Sequence, residues 1–147
     1  MNKYLKIFLI LALVGGIVGG SVVYYVFNKP HRDVEGEAPT FTMAAEDFYN
    51  DYNADEEAGN TKYLNQVIQV NGAIADITKD GVEMTIILNN DMEGVSCALD
   101  SAAVVNNHDM LENLEIGDDI TLKGKCDGFD MIMGIVLTKC FVITTED

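Results

Sequence analysis

The sequence predicts an all-β domain with a minor helical part: a five-stranded Greek-key barrel preceded by one amphipathic helix, carried behind an N-terminal transmembrane helix. Three observations predict it. An uncharged run of 21 residues, Ile7–Phe27, stands near the N-terminus. After Lys62 the chain breaks into five short segments in which apolar and polar residues alternate. A helical interruption falls after the third of these, which is the strand order of that barrel class.

The run "IFLILALVGGIVGGSVVYYVF" would span roughly 31 Å as a helix, about the hydrocarbon thickness of a bilayer. Lys3 and Lys6 precede it, Lys29 and Arg32 follow, and Tyr24 and Tyr25 are placed for the interface. A cleaved signal peptide is the competing reading, since Val18-x-Gly20 before Ser21 resembles a cut site. The apolar run continues to Phe27, however, which favours a retained anchor over residues 1–28. The segment holds no cysteine for lipid attachment. Its short basic head resembles an export signal, so the expected arrangement is a single-pass cell-membrane protein with its C-terminal domain outside the cytoplasm. Gly15, Gly16, Gly19 and Gly20 form two overlapping G-x-x-x-G pairs through which two copies would associate. Glycine is also simply common in membrane helices.

Residues 29–41 contain both prolines and no apolar period, and read as a tether. The domain then covers 42–147. Its first part, "TMAAEDFYNDYNADEEAG", predicts a helix capped by Thr42 and closed by Gly59, with Ala44, Phe48 and Tyr52 on one face and acids on the other.

"NQVIQVNGAIADIT" is the first strand, with Ile68, Val70, Gly72 and Ile74 aligned. Gly72 stands mid-strand, where a strand that pairs at both ends must bend. Lys79-Asp-Gly81 signals a hairpin, because Asp-Gly tolerates the positive φ of a tight turn. "EMTIILN" and "VSCALD" are the second and third strands, separated by the turn cluster "NNDMEG". A short helix follows, with Asp109-Met-Leu-Glu112 as its capping box. "ITLKGKC" is the fourth strand, facing Ile120, Leu122, Gly124 and Cys126 one way and Thr121, Lys123 and Lys125 the other. "GIVLTKCFVIT" is the fifth. This is the order of the OB-fold.

"AEDFYNDYNADEEAGNTKYLNQVIQVNGAI", "GVSCALD", "LEIGDDITLKGKCDGF" and "IVLTKCFVI" together resemble the tRNA-anticodon-binding-like OB-fold family, small bacterial proteins that often carry an N-terminal membrane or lipoprotein signal. The resemblance covers about residues 42 to 144. It implies an OB barrel with one helix before it and transfers no catalytic residue.

Charge limits the function. All 24 acids lie from Asp33 onward against five lysines, a net −19 for that part of the chain. Such a field repels phosphate backbones and anionic lipid. OB-folds that hold single strands place aromatic platforms and basic residues on their second and third strands. Here those strands contain no aromatic, Lys or Arg. Lys123 and Lys125 form a basic pair on one strand face, too small for a nucleic-acid channel. Asp51-x-Asn53-x-Asp55 fails as an EF-hand, since Glu56 stands at the glycine position and Lys62 at the last ligand. His31 and His108 lack neighbours at metal-ligand spacing, and no nucleophile-base arrangement is visible.

Cys97, Cys126 and Cys140 alternate with core-facing residues and read as small buried hydrophobes. Outside the cytoplasm two of them would be free to pair, leaving one. Cys126 and Cys140 lie on neighbouring strands, but a tight hairpin would put Cys126 opposite a residue near Ile135, away from Cys140. The expectation is therefore a non-enzymatic module without cofactor or metal, binding a protein, a peptide or a small ligand. The alternatives are a structural subunit assembled through the glycine face, and a nucleic-acid-binding barrel.

Overall fold

The computed structural model describes residues 2–28, 32–90 and 94–144. His31 and the centre of the "NNDMEG" turn lie outside the described residues. The chain forms two compact units, Met1–Arg32 and Asp33–Asp147.

The first unit is one helix, α1 (Lys3–Phe27), closed where Asn28 N–H donates to the Tyr24 carbonyl. No residue of it is buried, and it is long and apolar enough to cross a membrane. A Cβ added at Gly15, Gly16, Gly19 or Gly20 would meet nothing within 4 Å, so all four stand open on the helix surface.

The second unit holds β1 (Phe41–Ala44), α2 (Ala45–Ala54), α3 (Glu56–Tyr63), β2 (Val67–Asp80), β3 (Glu83–Leu88), β4 (Val95–Leu99), α4 (Ser101–Asn106), α5 (His108–Glu112), β5 (Asp119–Asp130) and β6 (Gly134–Val142). Strands β2 to β6 are the five expected ones. They pair in the order β2-β3-β4-β6-β5, and β5 returns to β2, closing a barrel of OB-fold architecture. Closure depends on the long strand β2. Val67–Ala73 pairs with β5, and Ile74–Asp80 pairs with β3. Gly72 lies next to this change of partner, and a Cβ there would stand 3.1 Å from the Ala45 Cβ. The Asp80–Glu83 hairpin turns through Gly81 at φ +63°. Ile68, Val70, Ile86, Leu88, Leu122 and Leu137 fill the interior.

The region before the barrel differs from the single expected helix. Thr42 does not cap a helix; it belongs to β1, which runs parallel to β2 with Thr42 opposite Gln69. The preceding Thr40 N–H already donates to the Val67 carbonyl. With the backbone committed to the sheet, the helix starts two residues later than expected, with Ala44 rather than Thr42 at its N-cap. It breaks at Asp55, whose extended backbone ends α2 and whose carboxylate accepts the Ala58 N–H at 3.0 Å to open α3. Gly59 therefore sits inside α3 rather than closing a helix. A Cβ there would stand 2.7 Å from the Tyr52 ring, so the missing side chain lets α3 pack on α2.

The expected capping box also shifts. The side-chain cap in this segment is Asp100, which accepts the Ala102 N–H at 2.9 Å and opens α4. Asp109 lies in the first turn of α5 behind Asn107.

Candidate ligand-binding face of the barrel

Alternation fixes which side chains leave the barrel. On β3 these are Glu83, Thr85 and Ile87, on β4 Ala98; Ser96 has the same parity but is buried, 1% exposed. The register sets Ile87 opposite Ser96 and Thr85 opposite Ala98. Apart from Glu83 at its end, this outer face is uncharged, and its side chains are small or β-branched. At one end a cavity of about 300 Å³ is lined by Glu83, Thr85, Ala98, Asp100 and Lys139. A second, more apolar cavity of about 230 Å³ opens between the β2–β3 hairpin and α4–α5. Val82, Met84, Val104 and Leu111 line it, with His108 and Glu112 at its edge.

Lys79, beside the apolar cavity, donates to the Leu111 carbonyl at 3.4 Å, while Lys139 lines the other cavity; Lys62, Lys123 and Lys125 are engaged within the chain. Lys123, read from alternation as an outward residue beside Lys125, is only 8% exposed. Its Nζ donates to the carbonyls of Glu35 and Glu37, which lie across its strand. Val34 is buried in the same strap, so the chain packs onto the barrel from the start of the second unit. Lys125 pairs with Asp127 at 2.6 Å. Asp127 also accepts the Thr138 hydroxyl at 2.7 Å. Burial alone would raise the Asp127 carboxyl, but these hydrogen bonds and the nearby lysines bring it below its ordinary range. Lys62 reaches Asp51 at 3.2 Å and lies over the Tyr63 ring, 4.6 Å from its centre. The pair of basic side chains expected on "TLKGKC" is thus one buried clasp and one local ion pair.

The aromatic residues lie elsewhere. Phe41, Phe48, Tyr52, Tyr63 and Phe129 form a continuous cluster where β1, α2 and α3 pack on the barrel, with neighbouring ring centres 4.9 to 6.3 Å apart. The Tyr63 hydroxyl donates to Asp51, whose carboxyl is lowered first by that bond and then by Lys62. Burial pushes the Tyr52 hydroxyl up, and it lies 3.4 Å from the Cys126 sulfur. This cluster was the main feature missed in sequence. The spacing of Phe48 and Tyr52 signalled it, but Tyr63 and Phe129 join only through the fold.

The three cysteines are buried and free. The β5–β6 turn lies further along than a tight turn would place it, so Cys126 stands opposite Leu137 rather than near Ile135. Its contact is Tyr52. Cys140 instead turns its sulfur into the space above Gly124, where a Cβ would be 2.4 Å away. His108 is exposed and 3.6 Å from Glu112. Among the described residues no group of three or more His, Cys, Asp or Glu could hold a metal ion.

A family model described as tRNA_anti-like matches residues 1–142. The chain belongs to the tRNA_anti-like family. No curated protein matches it. Among solved structures it is similar to a Klebsiella pneumoniae lipoprotein to which nucleic-acid binding is provisionally ascribed, with TM-score 0.55 and 17% identity over 79% of this chain and 100% of that one. An asparaginyl-tRNA synthetase from Pyrococcus horikoshii matches with TM-score 0.45 and 11% identity, over 58% of this chain and 21% of that one. The engineered OBody AM3L09, bound to hen egg-white lysozyme, matches with TM-score 0.43 and 11% identity, over 59% and 93%. The likeness to the Klebsiella lipoprotein is one of fold. The tRNA_anti-like chain described here has the OB barrel of its family with a strand and two helices packed before it.

Proposed function

We propose that this tRNA_anti-like chain is a non-catalytic binding module, held at the cell membrane by α1 with its barrel outside the cytoplasm, and that the barrel recognises a protein, a peptide or a small ligand. The observation that carries the reading is the outer face of β3 and β4. Its side chains, small or β-branched apart from Glu83, offer neither the aromatic platforms nor the cations that hold single strands. Lys123 and Lys125 do not replace them, since both are engaged within the chain. The unit's net −19 opposes any phosphate backbone that approaches. A largely uncharged face beside an apolar cavity suits a partner that brings its own apolar or hydrogen-bonding groups.

The anchor reading rests on the length and composition of α1, a helix with no buried residue. Full-length protein should remain with membranes through high salt and alkaline wash. A reporter fused after Asp147 should work only outside the cytoplasm. A chain released intact into the soluble fraction contradicts the anchor, and a reporter active only in the cytoplasm contradicts the orientation.

Nucleic-acid binding is the second reading, favoured by the ascription carried by the Klebsiella lipoprotein. Titration with single-stranded DNA and RNA separates the two, and saturable binding at physiological salt would decide for the second.

A further inference from the structure

The β2–β3 hairpin and the α4–α5 segment are joined where the Lys79 Nζ donates to the Leu111 carbonyl, yet the apolar cavity of about 230 Å³ stays open between them. Its floor belongs to the core, since Met84 and Leu111 are 4% and 2% exposed. Its lips do not. Val82 in the hairpin is 62% exposed and Val105 on α4 is 67% exposed, and both line the cavity. A buried apolar floor between two exposed valines is surface that an outside apolar group can cover.

Volume limits the occupant. A dry cavity of about 150 Å³ accepts a benzene ring, whereas pockets for drug-sized ligands begin at about 300 Å³. The space here takes one aromatic side chain. The exposed valines then remain for the chain that carries that side chain, which favours a protein segment over a free small molecule. Charge limits the occupant further. The two wall segments, 79–84 and 104–112, carry four carboxylates, Asp80, Glu83, Asp109 and Glu112, against one lysine. Glu83 and Glu112 line the cavity itself, and Lys79 is engaged in its wall. A phosphate backbone, an anionic lipid surface or a second copy of this unit, itself at net −19, is repelled there. A cationic segment is attracted.

We infer, on the binding-module reading above, that this cavity receives one aromatic side chain from a partner protein segment that carries lysine or arginine on both sides of it. The ring fills the space beside Met84, whose thioether favours aromatic contact. The flanking cations meet Glu83 and Glu112 at the rim, where they set the rate and selectivity of encounter more than the affinity.

The full chain, in phosphatidylcholine nanodiscs and isotope-labelled in its methionine methyl groups, would be titrated with a peptide in which one phenylalanine stands between lysine pairs. Empty nanodiscs give the background. The expected result is a saturable shift of the Met84 methyl signal, assigned through Met84→Leu. Alanine in place of the phenylalanine should weaken binding about tenfold or more, the factor for burying one large apolar side chain. Glutamate in place of the lysines should abolish it. Val105→Arg, a change at the exposed lip, should weaken the parent peptide about tenfold, and Glu83→Gln with Glu112→Gln should flatten its salt dependence. An unmoved Met84 signal, equal binding of the phenylalanine and alanine peptides, or a Val105→Arg chain that binds like wild type would each overturn the inference. Peptide binding that leaves Met84 unmoved would overturn the cavity and keep the binding-module reading. Saturable binding of single-stranded DNA or RNA to the same nanodiscs would overturn that reading itself.

Discussion

Lys123 donates from Nζ to the carbonyl of Glu35 at 2.6 Å, tying residues 88 apart in sequence. A second bond to the Glu37 carbonyl at 3.0 Å completes the clasp. The ammonium therefore holds the strap that precedes β1, in which Val34 is buried. Lys123→Met keeps the aliphatic stem and removes both bonds. It should cost about 1–3 kcal/mol in denaturant unfolding and expose residues 33–40 to limited proteolysis. Unchanged proteolysis of the strap would show that the clasp does not hold it.

Gly124 and Cys140 compete for one volume. Gly124→Ala would set a Cβ 2.4 Å from the Cys140 sulfur and 3.1 Å from the Thr138 carbonyl oxygen. The expected loss is about 1–3 kcal/mol, from overpacking. Adding Cys140→Ala should recover part of it, because the sulfur is the nearest obstacle. A double variant no more stable than Gly124→Ala would place the strain in the backbone contact instead.

At Gly72 the obstacle is the Ala45 Cβ at 3.1 Å, with the Leu88 Cβ at 3.6 Å behind it. Gly72→Val should lower the melting temperature markedly, since a branched side chain reaches further into both neighbours. Gly72→Ala should do so less, because a small shift of α2 relieves it. An unchanged melting temperature for the valine variant would remove Gly72 from the account of how β2 changes partners.

Asp51 supplies a pH signature. Hydrogen bonds from Tyr63 and Lys62 lower its folded-state pKa beneath the unfolded value of about 3.9. A depressed carboxylate adds stability that is fully present above the unfolded pKa and is lost as pH falls through the folded one. Asp51→Asn should therefore be less stable than wild type at pH 7, with the gap closing below about pH 4. Its side chain is about half exposed, so solvent screening keeps the gap below about 1 kcal/mol. A difference that persists unchanged at pH 2 would need another cause.

The barrel was legible in sequence because each strand has one buried face, and a two-residue period reports that directly. The Asp80–Gly81 turn was legible for its own local reason. Strand β1 was not. Its four residues are too few to show a period, and Thr42 has the chemistry of a helix cap until its backbone is claimed by Gln69 across the sheet. Lys123 was misplaced because alternation reports which side of a strand a residue occupies, not whether a distant segment covers that side. Cys140 illustrates the converse. Its burial agrees with the expectation, but it is achieved by a bulge that breaks the alternation from which burial was inferred. For the candidate face, the lack of aromatics and cations on β3 and β4 was readable residue by residue. The engagement of Lys123 was not, since Glu35 and Glu37 lie 88 and 86 residues away; Lys125 pairs within its own strand, with Asp127.

The central claim is that this OB barrel does not read nucleic acid, and salt-dependent titration tests it most directly. Fluorescence anisotropy of labelled single-stranded DNA and RNA would be followed against the full chain in detergent, from low to physiological salt. The account predicts no saturable binding at about 150 mM salt and no gain from lowering it, because repulsion by the net −19 unit strengthens as screening weakens. Micromolar binding that tightens as salt falls and is lost in Lys139→Glu would contradict it, and would make the cavity lined by Thr85, Ala98 and Lys139 a phosphate-reading surface.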